Sequence, residues 1–389
     1  MKTQLILIGI LLTSATLLAQ NANEFVVTGN LKNIKDAKAS IEYNKIAVEI
    51  TDGSFSARSE ITEPTVARMF ITDKRLMKTA KSGGYYPVKS MNIWLILYPG
   101  AKISVKGEIS DFADAYAYDG GENDILAGLH KELFPLLNAS VNIDLRFDYE
   151  KETLTPEGKA KLEKEKEELD SKAQKLRMKF LERSVSSMAG VWLLNDMVIR
   201  SQISMEEVDR LLKKVDKKYF STSWYIGLSD RVKGYQSTRV GMVAPDIVTR
   251  LTPDSTLFEL KSMRGKYVII DFWGTWCGPC IAGMPRMKEF RDKHAGTVLI
   301  LGVAQDRSFD VWKKFIETRN LDWKNVLVGK GDEDWVLKYN VQGFPTKLLL
   351  SPEGVILYRF TGEEEGFYET IEKMINNGKN HINGNNRIK

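Results

Sequence analysis

Asp271-Phe272-Trp273-Gly274-Thr275-Trp276-Cys277-Gly278-Pro279-Cys280 contains the only two cysteines of the 389-residue chain, and its reading decides the fold. Tyr267-Val268-Ile269-Ile270, just before it, is a short apolar and β-branched run, while the glycine and proline that follow mark a sharp change of direction. A strand is expected to give way to a helix there. Two cysteines three positions apart at a helix start can close a small disulfide ring, and the positive end of the helix dipole favours the first as a thiolate. Cys277 is therefore expected to be the nucleophile, with Cys280 one turn further in as the more buried, resolving partner. Pro279 falls in the first turn, where its missing N–H is no loss.

Other uses of a cysteine pair fit less well. Zinc takes four protein ligands in a structural site and three in a catalytic one, and beyond the pair there are only His130, His294 and His381, none in a paired ligand motif. A structural staple would close a longer loop, because the stabilisation grows with loop length. No metal or other cofactor is called for, and a redox dithiol beside a βαβ pattern is the reading that remains.

With these residues in view, Asp271 to Cys280 resembles the active-site stretch of thioredoxins. Gly274-Thr275-Trp276-Cys277 is especially similar to the TlpA-type, or ResA-like, extracytoplasmic thiol-disulfide oxidoreductases. The resemblance extends along the C-terminal part of the chain. Gly241-Met242-Val243-Ala244-Pro245-Asp246 resembles the family's opening segment, and Lys261 to Lys266 its lead into the first core strand. Gly343-Phe344-Pro345-Thr346 resembles the loop whose cis-proline faces the dithiol. The 65 positions from Cys280 to Pro345 leave room for an extra strand and helix, as in TlpA-type proteins.

The resemblance implies a substrate-binding surface made by Trp276, Gly278, Pro279, Phe344 and Pro345, where a cis X-Pro bond leaves the Phe344 backbone free to pair with an extended substrate segment. Trp276 and Phe344 would wall that groove, whereas Trp273 is expected to be plain packing. One departure bears on mechanism. Many TlpA-type proteins carry a glutamate three residues after the second cysteine, and this chain has Gly283 there. It has Asp271 instead, six residues before Cys277, as cytoplasmic thioredoxins do. A carboxyl group beside a buried thiol can accept and return the proton of the resolving cysteine; the alternative is an ordinary strand-end residue bonded to backbone.

Residues 1–20 read as a secretory signal peptide: Lys2, the apolar run Leu5 to Leu12, then small or apolar residues to Ala19. The run is too short for a membrane span of about 20 apolar residues, and no cysteine follows for lipid attachment. The expectation is an exported, soluble, periplasmic protein that is not a lipoprotein and is not inserted in the membrane after cleavage. Removing Lys2 takes the formal charge of +5 to +4. The interspersed acidic residues and the lack of a binding motif argue against nucleic acid as a partner.

Residues 21–119 read as a β-rich domain of unknown function, an antiparallel sandwich of short strands with turns at Asp52-Gly53 and Pro99-Gly100. Tyr85, Tyr86 and Trp94 are candidates for its core or for a binding surface. Residues 120–236 read as a helical connecting region, with helix starts at Thr155-Pro156 and at the capping box Ser204 to Glu207. Its Lys/Glu-rich stretch is read as the solvated face of an antiparallel hairpin, with a coiled-coil seam for dimerisation as the alternative. Residues 237–376 alternate as a thioredoxin-like α/β domain should, the helix after Cys277 being interrupted near Pro285 and His294 lying at the surface. Residues 377–389 read as a disordered tail.

The functional expectation is an exported disulfide reductase, because Gly278-Pro279 is the dipeptide found in thioredoxins, whose potential is about −270 mV. Its partners would be a disulfide-containing exported protein and a membrane electron donor thiol. The alternatives are an oxidase or isomerase on the same fold, a peroxiredoxin-type peroxidase, or a ligand-binding protein with a secondary redox module. Cytochrome c maturation, where TlpA-type proteins often act, is one setting the resemblance offers.

Overall fold

The computed structural model describes residues 23–363 and 366–385. The expected signal peptide lies outside the described residues, among which no helix is long and apolar enough to cross a membrane. Two compact units divide the chain, one ending at Phe180 and the other beginning at Leu181.

In the first unit the strands β1 (Glu24–Lys32), β2 (Ala37–Ile41), β3 (Ile46–Ile50), β4 (Ser54–Glu60), β5 (Thr65–Ile71), β6 (Ile93–Leu97), β7 (Lys102–Ile109) and β8 (Ala113–Tyr118) form two four-stranded sheets, ordered β4-β1-β7-β8 and β3-β2-β5-β6. Alternate residues turn inward, as the two-residue strand period requires. Phe25, Val27 and Ile103 from one sheet join Ile41, Met69 and Leu95 from the other in a single buried cluster. The expected all-antiparallel arrangement is corrected at β1, which is antiparallel to β4 but parallel to β7. Tyr85 is not core either; it is 62 % exposed, and Trp94 donates from Nε1 to the Lys89 carbonyl.

Two long helices follow, α1 (Glu122–Tyr149) and α2 (Pro156–Ser184). Asn123, buried in the first turn of α1, bonds both the amide and the carbonyl of Ile96 on β6 and ties the helix to that sheet. Ser140 meets Asp170 and Asp144 meets Lys166, so α1 and α2 run antiparallel, the hairpin expected for the charged stretch.

The second unit opens with α3 (Met188–Ile199), α4 (Met205–Leu212) and α5 (Ser223–Ser237). These three belong with the C-terminal fold: Arg231 and Thr238 donate to the carbonyls of Val341 and Tyr339. The region expected to connect two domains as one piece is thus shared between the units, and the division falls inside α2. A short ribbon of β9 (Val248–Thr249) and β10 (Phe258–Glu259) precedes the main sheet.

That sheet is built from β11 (Tyr267–Trp273), β12 (Val298–Ala304), β13 (Lys324–Leu327), β14 (Thr346–Leu350) and β15 (Ile356–Thr361), in the order β13-β12-β11-β14-β15. Between them run α6 (Gly278–Lys293), α7 (Phe309–Arg319) and α8 (Trp335–Lys338), and α9 (Phe367–Asn385) closes the chain. The parallel strands β11, β12 and β13 need crossovers, which α6 and α7 provide, whereas β14 and β15 form an antiparallel hairpin. β11 is central and buried along its whole length, as its uninterrupted apolar run predicts.

Two expectations change here. α6 runs through Pro285 without a break, and His294 caps its end with a side chain only 9 % exposed, its ring against Phe290. The backbone of α9 continues to Asn385, past the residue 376 boundary set from composition, and Phe367, Tyr368, Ile371 and Ile375 are buried along its described face.

Candidate active site

β11 ends at Trp273, the chain turns at Gly274, and Cys277 becomes the N-cap of α6. A helix start leaves backbone N–H groups without partners inside the helix. One of them is used at the site: the amide of Cys280 donates to Cys277 Sγ at 3.3 Å. The two sulfurs are joined as a disulfide. Cys280 is not the markedly more buried partner, since the residues are 3 % and 4 % exposed. Position separates them instead. Cys277 Sγ receives the amide and the positive end of the α6 dipole, both of which stabilise charge on sulfur.

Gly278 and Pro279 are exposed beside the disulfide. Trp276 is 59 % exposed, and its ring meets Phe344 edge to face at 5.2 Å. Phe344 packs in turn against the cluster that holds both cysteines, and the Phe344–Pro345 peptide bond is cis. The loop before β14 therefore comes together with the start of α6. Trp273, 1 % exposed, lies in the same buried cluster as the cysteines and is packing.

Gln305 and Asp306, on the loop between β12 and α7, hold the tip of the motif and were missed from the sequence. Trp276 Nε1 donates to the Gln305 carbonyl at 2.7 Å, and the Thr275 amide donates to Asp306 Oδ2 at 3.1 Å. Gly274 makes the first bond possible, because a Cβ there would run into the Trp276 ring and the Gln305 oxygen. No local pattern distinguishes Gln305-Asp306 from an ordinary helix approach; only the register of β12 beside β11 brings them near.

Asp271 lies on β11, 2 % exposed, with Lys347 of β14 directly opposite and equally buried. The Lys347 Nζ is 4.0 Å from Asp271 Oδ1 and pairs more closely with Glu363. Burial pushes the Asp271 carboxyl up to about 6, Lys347 pulling it down and Glu363 pushing it up. Strand alternation sets Asp271 on the same face as Ile269 and Trp273. Ile269 packs with Met287 of α6, and Trp273 packs with the cysteines. The carboxyl thus faces the helix whose first turn carries the dithiol.

A dithiol at a helix start, exposed aromatic walls and a buried carboxyl of raised pKa are together able to exchange disulfides and to handle the accompanying proton. Known proteins agree with this chemistry. A thioredoxin-like family model matches residues 265–356. The thiol-disulfide oxidoreductase ResA of Bacillus anthracis is 32% identical over 143 residues, 35% of this chain and 80% of that protein. ResA of Bacillus subtilis (strain 168) is 31% identical over 130 residues, 33% of this chain and 71% of its own. Among solved structures, the thioredoxin domain of a thiol-disulfide oxidoreductase from Bacteroides vulgatus is 32% identical, covering 35% of this chain and 98% of that domain with a TM-score of 0.33. From the strand that carries Asp271 to the hairpin beyond Pro345, this chain belongs to the ResA-like thiol-disulfide oxidoreductases of the thioredoxin-like family.

Proposed function

We propose that the protein is an exported disulfide reductase in which Cys277 attacks and Cys280 resolves. The Cys277 thiolate forms a bond to one sulfur of a substrate disulfide, and the other sulfur leaves as a thiolate with the bonding electron pair. Asp271 takes the proton from the Cys280 thiol. Cys280 then bonds to Cys277 Sγ, and the second substrate thiolate departs. The substrate gains two electrons, the enzyme is left as its internal disulfide, and a donor dithiol, by our reading a membrane protein, must reduce it again.

The observation that carries this reading is the Cys280 amide aimed at Cys277 Sγ at the N-cap of α6. It marks one sulfur as the site for negative charge, which attack on a disulfide requires. The Trp276–Phe344 pair supplies apolar walls for an extended substrate segment. Export rests on the basic, apolar and small-residue pattern of residues 1–20, and the reducing direction on Gly278-Pro279.

Trapping tests it. Cys280→Ser should accumulate exported proteins disulfide-linked to Cys277, and Cys277→Ser should trap none. Insulin reduction should be lost in both. A measured potential near about −120 mV, at the oxidising end of the range, would overturn the reductase direction.

A further inference from the structure

Gly283 sits on the buried side of α6, one turn beyond Cys280. The space a side chain would take there is filled from elsewhere: a Cβ built on Gly283 would fall on the carboxylate of Glu363. Glu363 follows β15 and reaches back over the helix, where its carboxylate pairs with Lys347 Nζ. Lys347 in turn lies opposite Asp271, and both side chains are 3 % exposed. A buried ammonium between two carboxylates divides its influence between them. Whatever charge Glu363 neutralises no longer acts on Asp271.

Resting on the reading of Asp271 as the proton acceptor for Cys280, we propose that Glu363 is a positioning residue for the resolving step. It lies in the gap left by Gly283, holds Lys347, and thereby sets how strongly that lysine acts on Asp271. Among the described residues, the charged or titratable groups that act on Asp271 come from several elements. Lys347 comes from β14, Glu363 from the segment after β15 and Tyr368 from α9, while α6, which the Asp271 face of the strand packs against, carries Cys280. Arg286 of α6 lies over the Tyr368 ring at 5.2 Å and pairs with Glu369. Gly302 of β12, on the other flank of β11, brings no charge.

The sign follows directly. Without Glu363 the Lys347 ammonium is uncompensated and favours ionised Asp271, so the carboxyl gives up its proton at lower pH. Without Lys347 the change runs the other way. Tying the carboxylate to the helix instead of the loop restores the original balance, because Gly283 and Glu363 compete for one space.

The test uses the reduced full-length protein and Ellman's disulfide. The second thionitrobenzoate released per chain reports the attack of Cys280 on the Cys277 mixed disulfide, and its rate is followed across pH. The limb belongs to the coupled set and is read as an apparent value. Glu363→Gln should move it to lower pH by on the order of 1 unit, as expected for an unscreened neighbouring cation. Gly283→Ala, whose Cβ evicts the carboxylate, should move it in the same direction. Lys347→Met should move it to higher pH, and the exchange Gly283→Glu with Glu363→Gly should return it to the wild-type position. Asp271→Asn should abolish it. If Asp271→Asn leaves the limb intact, the reading of Asp271 fails and the inference with it. If Asp271→Asn abolishes the limb while Glu363→Gln and Gly283→Ala leave it in place, the role of Glu363 alone is refuted.

Discussion

Replacing Asp271 by asparagine removes a charge from a place that water does not reach, and the size of the effect follows from its titration. Folding takes the carboxyl from an ordinary 3.8 to about 6, burial being the largest cause. At 1.36 kcal/mol per pH unit, keeping Asp271 ionised costs the fold about 3 kcal/mol. A group whose folded pKa is raised contributes stability fully below its unfolded value, and that contribution is lost as pH rises through the folded value. Wild type should therefore lose this contribution between about pH 3 and about pH 7, while Asp271→Asn has none to lose. The gap should widen by about 3 kcal/mol across that window in favour of the variant, although under the proposed role of Asp271 the variant should resolve mixed disulfides slowly. Denaturant titration of the oxidised chain measures it by tryptophan fluorescence, because seven of the eight tryptophans lie in the unit that begins at Leu181. A gap that stays constant with pH, or a variant less stable at the alkaline end, would refute the argument that buried charge is what the asparagine relieves.

Further outcomes follow from single contacts. Trp276→Ala removes an exposed ring that the proposed function makes a wall of the substrate groove, and its bond to Gln305; kcat/KM for a protein disulfide should fall about tenfold, the equivalent of about 1.4 kcal/mol, with a small aromatic disulfide much less affected. Thr275→Val removes the hydrogen bond that Thr275 Oγ1 donates to Asp306 Oδ1 on the β12–α7 loop, and Asp306→Ala removes that bond together with the one from the Thr275 amide. Each should cost about 1 kcal/mol, and the double variant should cost less than their sum, because residues in one contact are not additive. Asn123→Ala leaves both polar groups of Ile96 without their buried partner. It should destabilise the first unit by about 2–4 kcal/mol, seen as an earlier loss of its hydrogen-exchange protection while disulfide exchange continues.

The C-terminal fold could be read in the sequence because its signals are local and agree with one another. β11 is a continuous apolar run, and the turn into α6 is written in Gly274 and Pro279. The cysteines, Trp276 and Phe344 were likewise visible in their motifs. β4 and β8 were not foreseen, because Ser54–Glu60 and Ala113–Tyr118 bury mainly small residues and lack the β-branched character that marks a strand. The parallel pairing of β1 with β7 joins segments far apart in the chain, which no local pattern encodes. Pro285 was expected to interrupt α6, yet the surrounding packing of Met284, Met287 and Phe290 holds the helix through it. Gly283 was evident as a departure from the family pattern. What occupies its place was not, since Glu363 lies 80 positions away and carries no motif of its own.

Pro345 and Lys347 belong to one short stretch of backbone, two residues apart. The same few ångströms of chain carry the edge proposed to receive a substrate segment and anchor the ammonium that faces Asp271. On the proposed function, a substrate segment that displaced this stretch would also shift Lys347 relative to Asp271 across the β11–β14 ladder. Recognition at the surface and acidity in the interior would then draw on one stretch of backbone.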